Sequence, residues 1–61
     1  MAASPRRYDF VDTNNQKIVA VVQMITHLKH AGPARTEVFF VGGNSVVIQG
    51  AIDETAALLW P

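Results

Sequence analysis

The sequence predicts a mainly β fold: a small antiparallel β-meander of about four strands, built around a hairpin at Gly42-Gly43-Asn44, with one short C-terminal helix. Three observations carry that expectation. Two runs of β-branched and aromatic residues, Thr36–Val41 and Ser45–Gln49, flank Gly-Gly-Asn, which is a strong short-range hairpin signal. Tyr8-Asp9-Phe10-Val11-Asp12 alternates as a strand does. Asp53 and Glu54 open an apolar run ending at Trp60, as acidic residues do in the first turn of a helix.

Taken in order, residues 1–6 are small or basic with one proline and read as a disordered arm, leaving 7–61 as a single domain. Tyr8 and Phe10 alternate with Asp9 and Val11 in a first strand, and Thr13-Asn14-Asn15-Gln16 is a polar turn. The segment 17–31 supports two readings. Ile18, Val21, Val22, Ile25 and Leu28 fit a helical stripe, which gives an α+β alternative with a helix at about 15–31, started by a Thr13/Gln16 capping box. The same residues also form two strands, Lys17–Val21 and Ile25–His30, joined at Val22-Gln23-Met24. Gly32-Pro33-Ala34-Arg35 then turns the chain into the hairpin.

In the hairpin, a three-residue loop from Gly42 to Asn44 sets Phe40 opposite Val46 and Val38 opposite Ile48. Val38, Phe40, Val46 and Ile48 then share one face; Phe39, Val41, Ser45 and Val47 share the other. Both faces are apolar. One face is a core, and a chain of 61 residues has little left with which to cover the second.

A domain this short buries only about 60% of the surface its unfolded chain exposes. Without cysteine it has no disulfide framework, and two histidines, His27 and His30, are too few for a structural metal. Self-association is the remaining common remedy, and 49% apolar against 16% charged residues favours it. The expected partner is the chain itself, as a dimer or larger homo-oligomer, with Phe39, Val41, Val47 and Trp60 as interface residues. A second protein is a further candidate partner. The formal net charge of zero disfavours nucleic acid, although an oligomer could gather Arg6, Arg7 and Arg35 from several copies into an anion or nucleic-acid contact. No apolar run approaches a membrane span and the first residues lack an apolar signal region, so a cytoplasmic protein with no membrane partner is expected.

No set of residues marks a reaction. There is no G-x-S-x-G elbow, and Gly42-Gly43 precedes a strand, so it cannot place a helix N-terminus against a phosphate. His27 and His30 would share one face of a helix, with no nearby acidic residue to complete a metal site, and point to opposite faces of a strand, as do Asp9 and Asp12. Asp53-Glu54 is explained by the helix dipole. No catalytic residue, cofactor or metal is therefore expected.

From Ile25 onward the order is apolar strand, glycine turn, apolar hairpin, and acid-started helix. The middle element is Phe40-Val41-Gly42-Gly43-Asn44-Ser45-Val46-Val47-Ile48 and the closing element is Asp53-Glu54-Thr55-Ala56-Ala57-Leu58-Leu59. In this the chain resembles the very small β-rich proteins of the FlbD/SwrD flagellar type and similar short proteins of bacteria and their phages. The resemblance covers about two-thirds of the chain and departs at Val21 and Val22, where the family carries an Asn. It implies an antiparallel meander with one helix, favours strands over 17–31, and implies no catalytic residue. The functional expectation is a non-enzymatic, homo-oligomerising interaction or adaptor protein of bacterial or phage type. A nucleic-acid-binding regulator and a binder of small ligands at subunit interfaces are the alternatives.

Overall fold

The computed structural model describes residues 6–60, and it is mainly β with one C-terminal helix. The first hairpin pairs β1 (Arg7–Val11) with β2 (Lys17–Val21), Asp9 standing opposite Val19. Its turn is built on Asp12, whose Oδ1 accepts the main-chain N–H of Asn14 at 2.9 Å and of Gln16 at 2.8 Å. An Asx side chain standing in for backbone in this way is why Asp and Asn collect in turns. The capping box expected of Thr13 and Gln16 therefore does not form. Gln16 donates to Asp12 and leads into a strand, with no helix for it to cap.

One turn of 3-10 helix, Val22–Met24, redirects the chain into a second sheet of β3 (Ile25–His30), β4 (Arg35–Phe40) and β5 (Ser45–Gln49), in the order β3-β4-β5. Residues 17–31 thus adopt the two-strand reading, with the boundaries read from the sequence, and the helix at about 15–31 is absent. Its β-branched residues Ile18, Val19 and Ile25 sit in ladders where their restricted side chains cost little. The described residues hold five strands in place of about four, divided into sheets of two and three. Thr26 is the extra residue of a β-bulge, since Ile25 faces Phe40 while His27 already faces Phe39.

The central hairpin corrects the expected register. The loop is Val41-Gly42-Gly43, closed by Phe40 N–H donating to Asn44 at 2.8 Å and Gly43 N–H donating to Phe40 at 3.1 Å. Gly42 and Gly43 hold φ of 99° and 90°, which only glycine adopts at little cost. Val38 therefore faces Val46 and Thr36 faces Ile48, a shift of two residues from expectation. A shift of two preserves side-chain parity, so Val38, Phe40, Val46 and Ile48 still share the core face.

That face is closed by α1 (Ile52–Leu59) and by the first hairpin. Each of the seven elements contributes one buried apolar residue: Phe10, Ala20, Val22, Ile25, Val38, Ile48 and Leu59. Thr36 is buried among them, with its hydroxyl donated to Gly50 O at 2.8 Å. Most of the arm expected at 1–6 (residues 1–5) lies outside the described residues. Its last member, Arg6, is joined to the fold by three hydrogen bonds, to Val22, Gln23 and Leu59.

Candidate functional site

Of the expected interface residues, Phe39 and Val47 lie on the sheet face turned away from the core, and both are half-buried. Phe39 is stacked on the imidazole of His27, with ring centroids 4.4 Å apart and planes inclined by 10°. Beside them Ser45 donates to Glu37 Oε2 at 2.7 Å. Val41 stands at the hairpin tip, 56% exposed, its N–H donated to Met24 O at 2.8 Å. Trp60, exposed, follows Leu59, which belongs to the core on the opposite side of the sheet. The four residues thus occupy three places, and only Phe39 and Val47 share a surface.

A second apolar surface lies on the first hairpin. Its inner face carries Tyr8, Phe10, Ile18 and Ala20 into the core, with the rings of Tyr8 and Phe10 5.0 Å apart. Its outer face carries Val11, Val19 and Val21, exposed by 43%, 54% and 42%, beside Arg7, Asp9 and Lys17. Lys17 Nζ lies 3.2 Å from Asp9 Oδ2 across the strands. This surface was missed at the sequence level. The signal was there: Lys17-Ile18-Val19-Ala20-Val21 is apolar at both parities, and a two-stranded ribbon can bury only one of them.

The three arginines do not converge. Arg6 extends its guanidinium to Leu59 O at 3.1 Å, at the carbonyl end of α1, where a cation is favoured by the helix dipole. Arg35 opens β4 beside Gly50, whose N–H is donated to Ala34 O, just before the start of α1. The Arg35 side chain lies against Gly32, whereas Arg6 is held at the C-terminal end of α1. Arg7 is exposed on the outer hairpin face.

Between the first hairpin and α1 runs a cleft of about 360 Å³. Tyr8–Val11 form one wall and Glu54 and Leu58 the other, with Gln49 between them. Gln49 ties the two sheets together by donating to Asp12 O at 2.8 Å and Asn15 Oδ1 at 2.9 Å. The two carboxylates on this cleft are Asp9, already paired with Lys17, and Glu54. His27 and His30 do lie on opposite faces of β3, and among the described residues no three His, Cys, Asp or Glu side chains could hold a metal together. Among the described residues no helix is long and apolar enough to cross a membrane.

Comparison of the chain with protein-family models, with curated proteins and with solved structures finds no match.

Proposed function

We propose that this chain is a non-enzymatic interaction module that works as a homo-oligomer in the cytoplasm, needing no cofactor or metal. The observation that carries the reading is the water-exposed valine surface on the first hairpin, Val11, Val19 and Val21, opposite a face already spent on the core. Contiguous exposed apolar groups on a small domain mark interaction surfaces. The outer face at Phe39 and Val47 is a second surface on which copies or an adaptor's partner would sit. Its likeness to short proteins of bacteria and phages supports the same class and says nothing of the partner.

The native mass decides it. Size-exclusion chromatography with light scattering over a dilution series is expected to give at least twice 6.7 kDa at high concentration. A mass of one chain at every concentration overturns the reading. If copies meet through the outer sheet face, Phe39→Asp and Val47→Asp lower the mass; if they meet elsewhere, both variants keep it.

A second reading, ligand binding, rests on the cleft between β1 and α1, whose walls are largely apolar. Thermal shift against nucleotides and other small metabolites tests it, because a ligand bound only by the native state raises the midpoint. The nucleic-acid reading loses support from Arg6, whose guanidinium is engaged at the end of α1.

A further inference from the structure

We infer that β2 is the edge at which two copies join, antiparallel and two-fold about Val19, making one four-stranded sheet β1-β2-β2-β1. This rests on the self-association proposed above and specifies its surface and register.

The hydrogen bonds fix which backbone groups are free. Val22 N–H is donated to Arg6 O at one end of the first hairpin and Asp12 N–H to Gln16 O at the other. In an antiparallel ladder such bonded pairs alternate with non-bonded ones. Within the strands, the pairs Tyr8/Ala20 and Phe10/Ile18 are therefore the bonded ones, and Lys17, Val19 and Val21 turn their N–H and C=O groups away from β1. Among the described residues those groups have no backbone partner and form an open edge.

The other edges of the molecule are blunted. β3 carries the bulge at Thr26 and the charged Lys29, the irregularity and charge by which sheets discourage edge pairing. β5 is met by the first hairpin, through the Asp12–Ile48 bridge and the Gln49 side chain. The free side of β1 faces the cleft and α1. β2 has no proline or bulge, and its one charge is Lys17 at its end, paired to Asp9 on its own hairpin.

The occupant that fits is a second β2, because the strand is complementary to itself. Two-fold pairing about Val19 sets Lys17 opposite Val21 of the other copy and Val19 opposite Val19, each as a hydrogen-bonded pair. On the inner parity Ile18 meets Ala20. No like charges stand directly opposite, which cross-strand pairing penalises. On the outer face the pairs Val19 and Val21 of both copies become contiguous, flanked by the two Lys17–Asp9 ion pairs. A five-residue edge buries less than a standard interface, so a dimer that dissociates on dilution to the micromolar range is expected.

Two variants and one exchange measurement test the edge in the full chain. Val19→Pro deletes an N–H that β1 does not use, and Val19→Lys puts two ammonium groups opposite each other on the axis, at a site already more than half exposed. Both are expected to run as monomers by light scattering, with an unchanged far-ultraviolet circular dichroism spectrum for Val19→Lys. In the wild type, amide exchange at Lys17, Val19 and Val21 is expected to slow as concentration rises, while Ile18 and Ala20 stay protected throughout. A folded Val19→Lys that is as dimeric as wild type, or a dimer whose Lys17, Val19 and Val21 amides remain unprotected, overturns the edge inference and leaves self-association standing. A wild type that is monomeric throughout overturns both.

Discussion

In the three-stranded sheet, β4 is paired on both sides, Val38 and Thr36 are wholly buried, and a helix lies over the core face. In the two-stranded hairpin, each strand is paired on one side and three valines stand in water. Both regions are made of the same residue types, so the difference is one of partners and not of composition. An isolated two-stranded ribbon is marginal in water. This one persists because Phe10 and Ala20 reach the shared core and Gln49 bonds to its turn. The sheet and helix hold the stability, and the hairpin holds the surface that stability leaves uncovered.

The largest test of that contrast truncates one aliphatic side chain in each region. Ile48→Ala takes a fully buried side chain from β5 and is expected to cost about 2–5 kcal/mol, enough to unfold much of a domain of this size. Val19→Ala, on the exposed hairpin face, is expected to change stability by about 0.5 kcal/mol or less. Urea unfolding at a concentration low enough to keep the chain monomeric measures both. Equal losses would mean that the outer valines are packed within one copy, and the contrast would fail.

A smaller effect is expected where the chain before the hairpin touches the helix. Arg6→Ala removes the cation at Leu59 O, and the expected loss is about 0.5–1 kcal/mol, because the contact is only partly buried. Trp60 is the single tryptophan and follows Leu59 directly, so its fluorescence reports the fraying of that end. If the variant keeps wild-type fluorescence and stability, the guanidinium is free for other work and the nucleic-acid reading regains a residue.

How far these regions were legible in the sequence follows from the range of the forces involved. The bounds Lys17–Val21 and Ile25–His30 were one of two readings that the residues left even, because β-branched density favours strands while the apolar spacing also fits a helix; only the family resemblance favoured strands. The hairpin loop was misplaced by one residue because either Val41 or Gly42 could begin it; the ladder settles on the choice that puts both glycines at positive φ. Parity survived that slip, and so did the core. The division into two sheets was not legible, since Val22–Met24 is as apolar as the strands it separates. Nor was the role of Arg6, whose partner lies 53 residues away. On the surface, Phe39 and Val47 were read correctly as the face away from the core. The valines of β2 were not, because alternation cannot say which of two apolar faces a distant helix and sheet will cover.

The smallest effect is the most discriminating. Lys17 and Asp9 form an ion pair with side chains 68% and 51% exposed, and such pairs contribute about 0.5 kcal/mol or less, screened by salt. A double-mutant cycle with Lys17→Met and Asp9→Asn, run on dilute protein, is expected to give a coupling of that size that fades at high salt. Repeated at a concentration where copies join along β2, the same cycle reads the pair at the rim of a new sheet, where water is partly excluded and screening is weaker. A coupling that grows with protein concentration would show the hairpin face becoming an interior. One that stays small and salt-sensitive at all concentrations would leave that face in water and move the search for partners to Phe39 and Val47.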